Sequence, residues 1–351
     1  MLGRIFALLF ASSLLFVYLS FAQSGPESGP KTAPVAASDK PISVSVNEVI
    51  VPVTVTDDKG RFVSDLDQKD FKIVDGGREQ TIRYFTRERN QPVVVGFLMD
   101  ASNASRMHWK NYEEAAEELV LNLLPNDKKY SGYLISYANE AELKVNTTSD
   151  PEKLLVELRK MKPGGGAALY DSIYIACTSR ALVKGEPVEP RRIIVVIGDG
   201  HDNASKKSLE EVLEIAQRNL VTIYGVSTVA FGFANEGDKN LIRLAEETGG
   251  RVEYPLQNVY KDVSGYLETP SDEGNYALKV GTGGYASAIA TGMFRAIAAV
   301  AGEVTTQYIL RYTPDVPESG KVFRDIKVSV SIPNASTLKV RARKGYYPHN
   351  P

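Results

Sequence analysis

The sequence contains a single cysteine in 351 residues, Cys177, so no intramolecular disulfide can form. One thiol also cannot build the cysteine cages that hold structural zinc. Cys177 lies on the apolar side of a helical pattern, which predicts buried packing rather than a reactive thiol. The fold must therefore be stabilised by ordinary burial of apolar side chains, and the chain is long enough to do this in two domains.

Histidine and basic clusters are scarce as well. The three histidines are His108, His201 and His349, and no His-Glu-x-x-His pattern of a metalloprotease occurs. The formal net charge is −2, and no basic run that could track phosphates is present. These absences exclude a zinc protease and make nucleic acid an unexpected partner.

Long apolar runs are confined to the N-terminus. Arg4 precedes an apolar run over residues 5–21, and small residues at Ser20 and Ala22 complete a signal-peptide pattern, which predicts a signal peptide over 1–22. The run approaches the roughly 17 residues that span a bilayer, so an uncleaved anchor is the alternative. No later segment is expected to have the length and apolarity of a membrane span. The pattern predicts export to the periplasm, the cell surface or the medium.

Two flanking segments alternate apolar and polar residues, as strands do. Residues 23–41, rich in Ser, Pro, Gly and Ala, are predicted to be a flexible linker. Strand patterns then fill 42–90, with a hairpin at Asp75-Gly76-Gly77, and return over 303–348. We predict that these two flanks pair into one β-sandwich with the middle of the chain inserted between them. Two separate small β-modules are the alternative.

The middle of the chain, residues 91–266, alternates apolar strand patterns with amphipathic helices. The strand patterns are VVVGFLM, YSGYLISY, RRIIVVIG and LVTIYGVS. Because runs that are apolar throughout indicate strands covered on both faces, we predict an α/β domain with a doubly wound, mostly parallel sheet. Residues 267–302 are predicted to be an ordered insertion or mobile loop that leads into a short apolar helix, MFRAIAAVAGEV.

Three polar loops should meet at one edge of this sheet. Asp100 to Ser105 follows the first strand pattern, Gly164 to Asp171 precedes a helix, and Asp199 to Asn203 follows the third strand pattern. Ligands of open α/β sheets bind beyond the carboxyl ends of the strands, and these loops are expected to lie there.

This order of loops resembles the von Willebrand factor type A domain. The whole of 42–348, except an insertion after Tyr266, is similar to the bacterial exported proteins labelled VWFA-related. The flanking motifs that carry this likeness are VPVTVTD, GRFVSDLDQKDF, QYILRYTP and KVRARKGYY.

The resemblance implies a metal-ion-dependent adhesion site whose ligands here are Asp100, Ser102 and Asp199. Ala104 and Ala167 stand where the family has a serine and a threonine, and alanine offers no oxygen. Mg²⁺ takes six oxygens at about 2.1 Å and accepts water among them, so two carboxylates and one hydroxyl can still hold Mg²⁺, or Ca²⁺ or Mn²⁺, with reduced affinity.

Other polar residues of the three loops are candidates for supporting roles. The Ser105 hydroxyl lies one residue late and is a possible substitute ligand. Asn103, Asp171, His201 and Asp202 are candidates for binding the partner or for orienting the ligands.

A cation with open coordination positions can accept a carboxylate from another protein. The resemblance therefore implies a non-catalytic binding, adhesion or assembly protein, whose partner is a protein with an acidic residue or another envelope component. A metal-free structural envelope protein of the same fold is the alternative. A hydrolase using Ser102 or Ser105 with His201 and Asp202 is less favoured, because no G-x-S-x-G elbow surrounds either serine.

Overall fold

A sheet of six strands occupies the middle of the chain. The computed structural model describes residues 48–87, 92–179, 190–228, 236–255, 282–314, 322–333 and 337–348. The strands are β1 Val49–Thr56, β2 Phe71–Asp75, β3 Arg78–Gln80, β4 Tyr84–Thr86, β5 Val93–Asp100, β6 Tyr130–Tyr137, β7 Ala141–Thr148, β8 Arg191–Gly198, β9 Thr222–Ser227, β10 Val252–Glu253, β11 Tyr308–Tyr312, β12 Arg324–Val330, β13 Lys339–Ala342 and β14 Gly345–Tyr346. The helices are α1 Trp109–Leu123, α2 Pro151–Leu158, α3 Leu169–Thr178, α4 Leu209–Arg218, α5 Glu236–Thr248 and α6 Thr282–Thr306, with 3-10 turns at Gln68–Asp70 and Asn103–His108.

The central sheet has the order β10-β9-β8-β5-β6-β7. All neighbouring pairs are parallel except β6 and β7, which are antiparallel. Helices α1, α2 and α6 cover one face, and α3, α4 and α5 cover the other. Because both faces are covered, β5 is buried along its whole length and has the continuous apolar sequence from which a parallel strand was expected. The predicted α/β class with a doubly wound, mostly parallel sheet is confirmed.

Two antiparallel sheets flank this domain and share one core. Their orders are β13-β1-β11-β4 and β14-β12-β2-β3. Strand β1 lies between the late strands β11 and β13, and β2 pairs with β12, so the early and late parts of the chain build the same sheets. The predicted hairpin joins β2 to β3, with positive φ angles of 55° at Gly76 and 81° at Gly77. The flanking β-sandwich in the predicted fold is confirmed.

Helix α6 departs from the sequence prediction. It begins at Thr282, inside the glycine-rich stretch expected to be a loop, and continues for 25 residues. Its part Ser287–Thr306 is long and apolar enough to cross a membrane by length and composition, so the expectation that no later segment has these properties is wrong. Half of that part is buried, and Ile289, Ile297 and Val300 pack into the core beside α1.

Three predicted segments lie wholly or partly outside the described residues. They are the signal peptide over 1–22, the linker over 23–41 and the part of the insertion before Thr282. The predicted segment boundaries stay predictions.

The end of α6 joins the central sheet to the sandwich through a buried carboxylate, Glu303. Its Oε1 accepts a hydrogen bond from the Thr54 hydroxyl of β1 at 3.0 Å, and Arg341 of β13 donates to both carboxylate oxygens at 2.8 and 2.6 Å. Arg251, which precedes β10, forms an ion pair with Oε2 at 2.9 Å. One side chain of α6 therefore connects residues of the sandwich and of the central domain.

Candidate metal-binding site

Asp100 and Asp199 lie at the same rim of the central sheet. Asp100 ends β5, and Asp199 directly follows β8, the parallel neighbour of β5. The register pairs Met99 with Ile197, so Asp100 lies beside Gly198 and Asp199 one position further. The structure therefore brings the two predicted carboxylate ligands together.

The Asp100 carboxylate is buried and only half satisfied. The side chain is 1% exposed, and Oδ1 accepts the backbone N–H of Ser102 at 2.8 Å. Oδ2 has no hydrogen-bond partner among the described residues. Burial, with a smaller contribution from the charge of Asp199, raises the pKa of Asp100 to about 6, although hydrogen bonds from Ser102 and from the Asp199 backbone act in the opposite direction. A buried carboxylate oxygen without a partner is costly and is typical of a site that binds something.

The first loop places its serines close to the rim. Ser102 is 2% exposed and caps the 3-10 turn that begins at Asn103, because its Oγ accepts the N–H of Ala104 at 3.2 Å. Ser105 is also buried, and its hydroxyl donates to the Ser102 carbonyl at 2.9 Å. Asn103 is exposed, and its N–H donates to the carbonyl of Gly165 in the second loop at 3.1 Å. Ser102 is therefore beside Asp100, whereas the Ser105 proton is used to stabilise the turn.

Asn203 binds the backbone of the second loop at Ala167, the position at which the family has a threonine. Ala167 occupies that position and is 3% exposed. The Asn203 side chain accepts the N–H of Ala167 at 2.8 Å, and the N–H groups of Asn203 and Ala204 donate to the Ala167 carbonyl at 3.0 and 3.1 Å. Sequence reasoning did not single out Asn203, although it stands in the third loop.

Two predicted supporting carboxylates accept hydrogen bonds from neighbouring loops. Asp202 accepts the N–H of Tyr170 at 2.8 Å and the hydroxyl of Ser205 at 2.6 Å. Asp171 accepts the N–H of Lys207 at 3.0 Å. These bonds fix the start of α3 against the loop that leads to α4. Their contribution to the site is therefore to position its loops.

His201 lies at the exposed edge of the site. Its backbone N–H donates to Asp199 Oδ1 at 2.9 Å, and its residue is exposed. Two of the groups that a hydrolase would align have other partners: the Ser105 hydroxyl donates to a carbonyl, and the Asp202 carboxylate accepts a hydrogen bond from Tyr170. This geometry does not favour a Ser-His-Asp mechanism.

Tyr137, the last residue of β6, is a site residue that sequence reasoning missed. Its side chain is fully buried, and its hydroxyl has no hydrogen-bond partner in the described part of the chain. A Cβ added at Gly198 would overlap this hydroxyl and lie 3.1 Å from Asp100 Oδ2. Burial raises the pKa of Tyr137, and the charges of Asp100, Asp199 and Asp202 raise it further. The signal was its place at the carboxyl end of the strand beside β5.

The donor set fits a hard cation. No group of three or more His, Cys, Asp and Glu side chains within the described ranges could hold a metal ion, so a site here depends on hydroxyl and water oxygens beside Asp100 and Asp199. Oxygen ligands of this kind suit Mg²⁺, Ca²⁺ and Mn²⁺. The two unpartnered buried oxygens, Asp100 Oδ2 and the Tyr137 hydroxyl, flank the same glycine, Gly198.

Comparison with known families agrees with this geometry. The family model for the von Willebrand factor type A domain matches residues 95–263, a range that contains all three loops. This part of the chain is a von Willebrand factor type A domain. Within it, Ala104 and Ala167 lack the side-chain oxygens that the resemblance leads one to expect.

A curated relative matches part of the chain. An uncharacterized protein from Borreliella burgdorferi is 29% identical over 137 residues, which are 38% of this chain and 39% of that protein. The match thus spans well under two thirds of the relative.

Solved structures similar to the chain include three of different origin. An aerotolerance-related membrane protein from Bacteroides fragilis is 19% identical, with a TM-score of 0.38 over 49% of this chain and 96% of its own. The proximal thread matrix protein 1 of the mussel byssus, described with a zinc-occupied MIDAS motif, is 16% identical, with a TM-score of 0.38 over 48% and 42%. The vWF domain of the type V pili tip protein Mfa5 from Porphyromonas gingivalis is 17% identical, with a TM-score of 0.29 over 52% of each chain. These identities are too low to carry a function to this VWA domain.

Proposed function

We propose that this chain is a non-catalytic, exported binding protein whose VWA domain captures an acidic group of a partner through a divalent cation. The cation would be held by Asp100, Ser102 and Asp199. The observation that carries the proposal is the buried Oδ2 of Asp100, which no described donor satisfies.

The electrostatics of the rim support a positive ligand. Asp100 is buried beside Asp199, and both burial and the neighbouring charge disfavour its ionised form, which raises its pKa to about 6. A cation between the two carboxylates would offset both effects, because it supplies the opposite charge and the missing contact. Ser102 adds a neutral oxygen at the same rim.

The surroundings of the site favour binding over turnover. Asp171, Asp202 and Asn203 bind backbone groups and hold the three loops together. Asn103 and His201 are exposed beside the carboxylates and are proposed to contact the partner. A cation fixed by a few protein oxygens keeps open positions, and a partner carboxylate can take one of them. We propose a protein with an exposed acidic residue, or another envelope component, as that partner.

The first test compares thermal unfolding with and without cations. Mg²⁺, Ca²⁺ or Mn²⁺ at millimolar concentration should raise the melting temperature of the wild type, because a ligand that binds only the folded state stabilises it. Asp100→Ala should remove the rise, whereas Asp58→Ala, which deletes an exposed acidic side chain in a turn of the sandwich, should keep it. A wild type whose melting temperature responds to none of these ions would contradict the cation site. It would favour the metal-free structural protein, which is also consistent with the missing side-chain oxygens at Ala104 and Ala167.

The second test addresses the partner. Wild type and Asp100→Ala are used side by side to capture proteins from the envelope of the producing cell, each with Mg²⁺ and with a chelator. The proposal expects a partner that is retained only by the wild type and only with the cation. Recovery of the same partners by both proteins would contradict binding through this rim.

A further inference from the structure

The oxygens missing at Ala104 and Ala167 raise the question of what completes the ligand set. We propose that the Tyr137 hydroxyl is a further oxygen ligand of the cation site, directly or through one water molecule. This inference rests on the proposed function, and it assigns to Tyr137 a role that the loop pattern does not predict.

The position of Tyr137 follows from the strand register. Tyr137 pairs with Asp100 in the β5–β6 ladder, and Asp100 lies beside Gly198 on the other side. The tyrosine begins two strands away from β8, yet its hydroxyl reaches Gly198. Its ring therefore extends over the end of β5. The absence of a side chain at Gly198 leaves the space in which the hydroxyl lies next to Asp100.

The Tyr137 hydroxyl is buried and has no described hydrogen-bond partner, so it is available to bind a ligand. Tyr137 is 0% exposed, and its hydroxyl bonds to no described atom. A buried hydroxyl without a hydrogen-bond partner destabilises the folded state. Asp100 Oδ2, which also has no described partner, lies beside the same glycine as this hydroxyl. A neutral phenol can offer its oxygen to a cation and its proton to a carboxylate at the same time.

Tyr133 shows what the same residue does when no site is near. It stands four residues earlier on β6, is 3% exposed, and its hydroxyl likewise lies over a glycine, Gly96. Its hydroxyl is 3.5 Å from the carbonyl of Ala176, away from the carboxylates. Tyrosine over glycine is thus a packing arrangement of this sheet. At Tyr137 the same arrangement places an unpaired hydroxyl at the edge of the sheet that carries Asp100 and Asp199.

The experiment compares Tyr137→Phe with Tyr133→Phe in the full chain. Titration calorimetry with Mn²⁺ and with Mg²⁺ should show about tenfold weaker binding for Tyr137→Phe, the lower end of the range for outer ligands, and wild-type binding for Tyr133→Phe. With chelator present, the melting temperature of Tyr137→Phe should equal or exceed that of the wild type, because the change removes a buried group that has no partner.

Terbium provides a second readout, since a tyrosine at the ion sensitises its emission. The signal excited through the phenols should fall in Tyr137→Phe and stay unchanged in Tyr133→Phe. If Tyr137→Phe binds cations with wild-type affinity and gives wild-type terbium emission, the role of Tyr137 is overturned. If Asp100→Ala abolishes cation binding in the same experiments, the proposed function still stands. Cation binding that survives Asp100→Ala would instead overturn the proposed function.

Discussion

The carboxyl group of Asp100, at the edge of the central sheet, lies in an environment that is unfavourable for its charge. The group is 1% exposed, one oxygen has no described partner, and the charge of Asp199 lies nearby. Proteins tolerate such groups where a ligand completes them, and strongly shifted carboxyl groups in clefts mark functional sites. In the absence of a ligand, Asp100 should therefore lower the stability of the folded chain.

Asp100→Asn tests this cost through its pH dependence. Burial raises the pKa of Asp100 from 3.8 to about 6, so between these values the folded state holds a proton that the unfolded state has released. The free energy of unfolding then falls as the pH rises through this window, by about 1.4 kcal/mol per unit of pKa shift, or about 3 kcal/mol in total. Without cations, Asp100→Asn should be up to about 3 kcal/mol more stable than the wild type at pH 7.5 and equal to it near pH 4.

Urea unfolding at both pH values, with chelator, measures the difference. Asp58→Asn serves as the control, because an exposed carboxyl group should give no pH-dependent gain. An Asn variant whose gain is the same at both pH values would show that the change acts through packing instead of charge.

The positions of the two acidic ligands could be predicted from the sequence, because each follows an apolar run that reads as a buried strand. The role of Tyr137 could not be, since it depends on the register of β5, β6 and β8 and on the missing side chain at Gly198. The bonds of Asn203 to Ala167 likewise depend on two loops that are distant in the chain.

At the scale of elements, burial explains which parts of the fold the sequence predicted. The central strands are apolar on both faces and could be recognised, whereas β7, an antiparallel edge strand, is partly exposed along its length and reads as polar. The start of α6 was misjudged because its glycines are typical of loops, yet the helix packs against α1. From Ile289 onward several of its apolar side chains are buried beside α1, which the glycine content of its first turns does not predict.

Glu303 is the residue by which α6 connects to both parts of the fold. Glu303→Ala leaves Arg341 and the Thr54 hydroxyl without their acceptor and should lower the free energy of unfolding by about 3–5 kcal/mol. Glu247→Ala, which breaks a partly exposed pair with Arg243 on α5, should change it by less than about 1 kcal/mol. Urea unfolding measures both. Equal losses of unfolding free energy in Glu303→Ala and Glu247→Ala would contradict a stabilising role for the buried contacts of Glu303 between the sandwich and the central domain.

At the scale of the molecule, the sandwich is assembled from the two ends of the described chain. Asp75 of β2 accepts hydrogen bonds from three side chains that follow the VWA domain. They are Arg324 at 2.7 Å, Tyr312 at 2.8 Å and Tyr346 at 3.1 Å. All four residues are buried, so this cluster ties early sequence to late sequence inside the core.

Asp75→Ala should therefore destabilise the sandwich strongly. Arg324 would lose the buried carboxylate with which it forms an ion pair, which is expected to cost about 3–5 kcal/mol. Glu79→Ala is the matched control, since it removes an exposed ion pair with Lys72 in the same sheet and should cost less than about 1 kcal/mol. Circular dichroism during urea unfolding reports both. A loss at Asp75 no larger than at Glu79 would contradict the structural role of the cluster.

The place of β1 between β11 and β13 also sets an order of events during synthesis. The ribosome releases Val49–Thr56 early, and the strands that pair with it emerge only after the entire VWA domain. Until then this valine-rich strand has two unpaired edges, a state in which chains aggregate or recruit chaperones. A chain that ends before residue 308 would therefore lack both partners of β1 and would leave both edges of this strand unpaired.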